Sequence, residues 1–439
     1  MNPRYERWRW ITFGVTWLIY ATFYFTRQAF SVAKTAMTGE GVVAPVARDR
    51  MGDIDTVFQV TYMLGQFLFG PLGDRLGPRK ILLFGTFLSV LAAILSGYST
   101  AYITFACFAV LQGIAQSTGW SNCNKTMSSW FSLRERGRVI GWWCTCYTVG
   151  PAISLPFCGM MMDYFGTMGT DAEGQPALIP YWPAAYWGAA AVLTCIGVIA
   201  FFLLRNRPED VGLPPIEEYH GEPASLIEGE TPADVAPERS GSLIAEVLSS
   251  PTIWMLATSY FFVKLVRYVF LLWGPMLVKE SLGSDASTSA FTAAAMPIGG
   301  VFGVIGIGYI SDKLFQSRRA PAAVLSLLAT AGIMFVGLTK LESAWAMGAF
   351  FFCVGLFLFG PDSVISATAS IDFGTKRGSG TATGVVNGIG SLGSILGGLL
   401  PQMMTTAGDW TPLFRVLLIG LVVSACLLAP LWRTKPPTA

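Results

Sequence analysis

Twelve apolar stretches set what this chain can become, because about 20 residues of helix are what it takes to cross the hydrocarbon core of a bilayer. By approximate limits they are Trp10–Ala33, Val57–Leu72, Ile81–Tyr98, Tyr102–Trp120, Val139–Met162, Ala184–Leu204, Ile253–Val278, Thr288–Ile310, Pro321–Leu338, Ala344–Ile365, Thr381–Gln402 and Leu413–Leu431. Inside lipid an unpaired backbone group is costly, so each stretch is expected as a helix. With 53% hydrophobic and 13% charged residues the composition excludes a soluble domain, and a net charge of +2 argues for no nucleic-acid partner. The expected fold class is an all-α polytopic membrane protein with twelve transmembrane helices.

The first stretch is too long for a cleavable signal, carries Arg27 and lacks a small-residue cleavage site, so it is expected to remain as a helix. Lys and Arg set the orientation. With both termini cytoplasmic, 20 of them fall on that side, and five (Lys34, Arg48, Arg50, Lys279 and Lys340) fall in the outer loops. The eight cysteines lie almost wholly inside the stretches and predict no structural disulfide. Cys144 and Cys146 sit in mid-helix without partner ligands, so they read as packing residues, and no metal or cofactor is expected.

Residues 205–250 include "NRPEDVGLPPIEEYHGEPASLIEGETPADVAPERSG", rich in Pro, Glu and Gly. They read as a flexible cytoplasmic linker in which His220, the sole histidine, is solvated. The linker separates an N-terminal six-helix half, 1–204, from a C-terminal one, 251–439. The halves echo each other. "GPLGDRLGPRK" follows the second stretch and "GYISDKLFQSRR" the eighth, with Asp74 and Asp312 238 residues apart, and Arg27 and Arg267 are 240 apart. Two unrelated features with nearly one offset predict parallel six-helix repeats with a site between them.

The charges inside the stretches point to the contents of that site. Arg27 lies in "YATFYFTRQAF", and Arg267 lies deep in the seventh stretch with Lys264 one turn before it. A charge at mid-membrane costs about 2.5–3.5 kcal/mol on insertion scales and usually faces a partner or a polar cavity. Within the stretches the one acid is Asp362, since Asp55 and Asp74 read as helix-margin residues. Arg27, Lys264 and Arg267 against Asp362 leave a deficit that an anionic ligand would fill. Two guanidinium groups converging from symmetry-related helices suit a phosphate monoester, with nearly two negative charges, better than a carboxylate.

The "GPLGDRLGPRK" loop, its degenerate second copy and the six-plus-six plan resemble the major facilitator superfamily. "YFTRQAFSVAK", "LQGIAQSTGWSNCNK", "RYVFLLWGP" and "GPDSVISATASIDFG" resemble, over almost the whole chain, its organophosphate:phosphate antiporter family, which includes glycerol-phosphate and hexose-phosphate transporters and sugar-phosphate exchangers. The resemblance implies a major facilitator fold of two pseudo-symmetric halves, no enzyme activity, and a place in a bacterial inner membrane. It implies exchange of a phosphorylated metabolite for inorganic phosphate by alternating access, in a carrier that works as a monomer. Arg27 and Arg267 take the phosphate-clamping positions, and Asp74, Arg75 and Asp312 belong to a conformational latch.

Several residues depart from the family pattern. Gln66 replaces a helix 2 lysine and Tyr147 a helix 5 histidine of the bacterial transporters, and Lys264 is present as in the animal exchangers, so Lys264 is expected to restore the charge lost at Gln66. Asp362 could balance Lys264, bind a substrate hydroxyl, carry a coupled proton or form an ordinary ion pair. Tyr24, Tyr62, Trp120, Tyr147, Tyr268 and Asn387, with Gln66 and Asp362, are the candidates to line the organic moiety. Two other readings are a proton-coupled organic anion carrier and a transporter-like sugar-phosphate sensor.

Overall fold

The computed structural model describes residues 2–38, 42, 44–170, 176–220, 248–315, 318–337, 341–369, 379–405 and 409–433. In chain order the helices are α1 (Pro3–Met37), α2 (Met51–Leu76), α3 (Pro78–Gly97), α4 (Tyr102–Ser117), α5 (Gly119–Trp130), α6 (Leu133–Trp143), α7 (Cys146–Tyr164), α8 (Pro183–Leu203) and the short α9 (Ile216–His220). They continue with α10 (Pro251–Leu282), α11 (Ala286–Leu314), α12 (Arg319–Val336), α13 (Ala344–Ser363), α14 (Ser379–Met404) and α15 (Thr411–Leu428). Each apolar stretch coincides with one helix or with a helix broken once. Among the described residues, eight helical segments are long and apolar enough on their own to cross a membrane. The first, second, fourth and fifth stretches fall short of that measure because they carry polar residues inward or are broken.

Local chemistry sets the ends. The Asn2 side chain accepts the Arg4 amide at 3.0 Å and Pro3 opens α1. Gly77, with φ 87°, ends α2, and Pro78 starts α3, which is how the "GPLGDRLGPRK" loop turns within two residues. The Ser132–Glu135 capping box starts α6.

Two boundaries differ from the apolar count. The fourth stretch does not end at Trp120, because α5 carries helix on to Trp130, and the fifth begins at Leu133 rather than Val139. Ser121, Asn122, Asn124, Lys125, Ser128 and Ser129 keep α5 polar on average, although Cys123, Met127 and Trp130 bury one face at helical spacing. A two-stranded antiparallel hairpin, β1 (Thr167–Thr170) with β2 (Pro176–Ile179), pairs Thr167 with Ile179 between α7 and α8 and was not anticipated.

The linker reading needs correction over 205–220. Tyr219 stacks on Tyr5 with ring centroids 4.0 Å apart and accepts the Asn2 amide at 2.8 Å, while Leu213 and Ile216 are buried. Positions 213, 216 and 219 form an apolar row at three-residue spacing that composition alone conceals. His220 is exposed beside the Tyr219 ring. Residues 221–247 of the linker lie outside the described residues.

The two halves meet through α1 against α10, α7 against α11 and α2 against α14. Polar ties between them gather at the end of the bundle opposite the N-terminus, the far end. There the Arg48 guanidinium donates to Glu280 at 2.9 Å and to Thr405 Oγ1 at 2.7 Å, and Gln402 exchanges hydrogen bonds with Asp53 at 2.9 and 3.1 Å. Close approach of α2 and α14 depends on two glycines. A Cβ at Gly398 would lie 2.7 Å from the Asp55 Cβ, and one at Gly52 would lie 2.7 Å from the Gln402 Oε1.

Lys34 is not a loop residue and Asp55 is not marginal. Both are buried at the far end, where they form an ion pair, and Lys34 Nζ also donates to the Leu272 carbonyl at 3.0 Å and stands 3.9 Å over the Trp273 ring. The apolar count stops at a charge, whereas α1 runs on to Met37. Lys279 likewise lies inside α10 and donates to the Thr35 carbonyl.

Candidate functional site

The site is built where α1 and α10 touch. Ser31 Oγ donates to the carbonyls of Leu271 and Leu272 at 3.1 and 2.9 Å, and Ser31 and Leu271 are 240 residues apart, the offset of the two arginines. Equivalent points of the two halves are therefore in contact, and Arg27 and Arg267 stand one turn before that contact on each helix. Both are buried, with 6% of their surface exposed.

The two arginines have different surroundings. Arg27 Nε donates to Gln116 Oε1 at 2.7 Å, and Gln116 is itself fixed by the Phe23 carbonyl and Thr26 Oγ1, each at 2.9 Å. The guanidinium lies 4.8 Å from the Tyr24 and Tyr62 rings and 5.6 Å from Phe58, and its Nη2 is buried without a hydrogen-bond partner. Arg267 Nη1 donates to Asp362 Oδ2 at 2.7 Å, and the guanidinium lies against Phe359 at 4.6 Å, Tyr147 at 5.0 Å and Tyr268 at 5.8 Å. Tyr24 and Tyr268 are each within electrostatic reach of both arginines, so the two clusters form one site.

This changes the charge balance expected from sequence. Asp362 pairs with Arg267, not with Lys264, whose Nζ rests 4.9 Å over the Tyr260 ring and forms no ion pair among the described residues. Asp55 is a second intramembrane acid, but Lys34 is a further cation and cancels it. Among the described residues of the site itself, Arg27 and Lys264 remain without a carboxylate. The excess of two positive charges survives, although its bookkeeping is different.

Other candidates fall as follows. Tyr147 stacks on Phe359 with centroids 6.5 Å apart and lies 6.5 Å from Trp120, which also packs edge-on to Tyr20 at 5.4 Å. Tyr62 places its hydroxyl 3.5 Å from that of Tyr20. Gln66 lies one turn beyond Tyr62 on α2, partly exposed, and Asn387 donates to the Ser366 carbonyl at 3.4 Å. Of the residues expected to form a latch, Asp74 pairs with Lys125 of α5, Arg75 is exposed, and the side chain of Asp312 lies outside the described residues.

Sequence reasoning missed Gln116, Gln112, Phe58 and Phe359. Gln112 Nε2 donates to Thr26 Oγ1 at 2.7 Å and to Ser89 Oγ at 2.8 Å, holding α1, α3 and α4 together beside Arg27. The spacing of Gln112 and Gln116, one turn apart in an apolar run, was the available signal. A cavity of about 40 Å³ lined by Thr26, Arg27, Asp55, Gln112, Tyr186 and Leu272 joins the Arg27 side of the site to the Lys34–Asp55 pair. It has room for about one water molecule.

Residues 16–398 match the family model described as Major Facilitator Superfamily. The chain is 30% identical to the membrane sensor protein UhpC of Salmonella typhimurium, an alignment covering 100% of this chain and 94% of that protein. It is 27% identical to a probable hexose phosphate transport protein of Chlamydia pneumoniae, covering 99% of this chain and 93% of that one. Its backbone matches the crystal structure of a bacterial homolog of the human lysosomal transporter Spinster, inward-facing and unoccupied, with a TM-score of 0.74 at 16% identity over 99% of this chain and 98% of that one.

Proposed function

The chain belongs to the Major Facilitator Superfamily, in its organophosphate:phosphate antiporter family, and from that premise we propose that it exchanges a phosphorylated small metabolite, a sugar phosphate or glycerol phosphate, for inorganic phosphate. One observation carries the reading. Two symmetry-related buried arginines face one site that, among the described residues, holds a single carboxylate and a further lysine. The net excess matches a phosphate dianion.

In this reading Arg27 Nη2, which has no partner, takes one phosphate oxygen. Arg267 takes others, and Lys264 supplies the third cation in place of the charge that Gln66 lacks. Hydroxyls of Tyr24, Tyr147 and Tyr268 orient the phosphate, and the organic moiety lies among Tyr62, Trp120, Gln66 and Asn387. The excess of Lys and Arg on one side of the bundle favours both termini in the cytoplasm, in a bacterial inner membrane. The tied far end then faces outward and is closed in this state. The halves, 1–204 and 251–439, rock about the bound anion as a monomeric carrier, and Asp74, Arg75 and Asp312 latch the cytoplasmic face when it closes.

The test is uptake of labelled phosphate by proteoliposomes. Vesicles preloaded with phosphate should accumulate label about ten times faster than empty ones, because an occupied site crosses with less uncompensated charge. Equal rates would end the exchange reading. A second reading, a transporter-like sensor, is favoured by the 30% identity to a membrane sensor protein. It predicts stabilisation by the phosphate ester without exchange in the same vesicles. A proton-coupled organic anion carrier would instead respond to a pH jump with no internal phosphate.

A further inference from the structure

We propose that Asp362 is an internal stand-in for the substrate anion, which lets the empty carrier return and adds net one-way phosphate release to exchange. This rests on the phosphate-exchange reading above. The two symmetry-related arginines are not equivalent: Arg27 is held by the neutral Gln116, Arg267 by a carboxylate. The Arg267–Asp362 contact is a single hydrogen bond at 2.7 Å, with Arg267 Nε and Asp362 Oδ1 both buried without partners. A guanidinium satisfied by a carboxylate through two parallel bonds would be hard to release, whereas a one-point contact leaves a better-matched fork available to phosphate.

The surroundings make the carboxylate the anion at hand. Phe359, Tyr147 and Tyr268 cover Arg267 with ring surface. Lys264 sits one turn from Arg267, within electrostatic reach of Asp362 and without an ion pair among the described residues, so it can receive the carboxylate that phosphate displaces. With the site empty, Asp362 removes one of three positive charges that would otherwise face one another when the halves close. With a dianion bound the site is neutral. Exchange is therefore the faster route, and the empty return is slowed rather than forbidden.

The experiment uses the full chain in proteoliposomes loaded with labelled phosphate, diluted into medium with or without external phosphate. In the parent protein, net efflux without external phosphate should be slower than exchange yet clearly above that of protein-free vesicles. In Asp362→Asn the ratio of net efflux to exchange should fall by at least about tenfold, and in Asp362→Glu it should stay within about threefold of the parent. The phosphate concentration that half-saturates exchange should also fall in Asp362→Asn, because a competing internal anion has gone. An unchanged ratio in Asp362→Asn, or the same loss in Asp362→Glu, overturns the proposal. A parent protein with no phosphate exchange overturns the exchange reading itself and this inference with it, whereas exchange with an unchanged ratio in Asp362→Asn overturns only the inference. Exchange measured in the same vesicles reports whether each variant is folded.

Discussion

Arg27→Gln should weaken phosphate binding by at least about 30-fold and leave the empty protein as stable as before or more so, whereas Arg267→Gln should lose both binding and stability. The asymmetry follows from the partners. Among the described residues Arg27 has one hydrogen bond, to a neutral amide, and its Nη2 has none, so beyond its ring contacts a bound anion is what offsets its desolvation cost, and its removal relieves that cost. Arg267 removal breaks the buried Arg267–Asp362 pair and leaves Lys264 as the nearest cation, so the loss approaches the roughly 3–5 kcal/mol of an uncompensated buried charge only as far as Lys264 fails to replace it. Truncating one side of a buried charge-assisted contact to the ligand costs about 2–5 kcal/mol, or roughly 30-fold to several thousand-fold in affinity. Thermal unfolding of the purified protein with and without phosphate reads both effects. Arg267→Gln with Asp362→Asn should recover most of the lost stability and none of the phosphate-induced shift. A full phosphate shift in Arg27→Gln would remove that arginine from the site.

The arginines were legible because a charge inside an apolar run is conspicuous and the shared offset of 240 gave each a counterpart. Their partners were not. Gln116 is one of several neutral polar residues in apolar runs, and nothing in its neighbourhood distinguishes it until α4 packs on α1. Asp362 was legible as an acid, but its choice of Arg267 over Lys264 is a matter of which face of α10 meets α13. The two cations lie three residues apart on that helix, so spacing cannot separate them. The far-end pair was hidden for a different reason. Lys34 follows the last apolar residue of its run and Asp55 precedes the first of the next, so a count of apolar residues assigns Lys34 to a loop and Asp55 to a helix margin. Helix length in this protein exceeds membrane thickness: α1 spans 35 residues, where about 20 would cross.

That pair supports the prediction with the broadest consequences for the cycle. Lys34 holds the far end closed from three sides: Asp55 of its own half, the Leu272 carbonyl of the other half, and the face of Trp273. Asp55→Asn keeps the shape and removes the counter-charge, leaving a buried ammonium that an opened, hydrated far end would solvate. The closed state is therefore destabilised by about 3 kcal/mol, a shift of roughly 150-fold in population. Exchange passes through that state in every cycle, so its rate should fall by about two orders of magnitude, and the thermal midpoint should drop with it. Lys34→Met with Asp55→Leu removes both charges at similar volume and should restore most of the midpoint, because a buried ion pair is often replaceable by well-packed apolar residues. It should not restore the full exchange rate, since the tie from Lys34 to the Leu272 carbonyl crosses between the halves and methionine cannot make it. If Asp55→Asn exchanges phosphate at the parent rate with an unchanged midpoint, the pair does not hold the far end, and closure rests on Arg48 with Glu280 and on Gln402 with Asp53 instead.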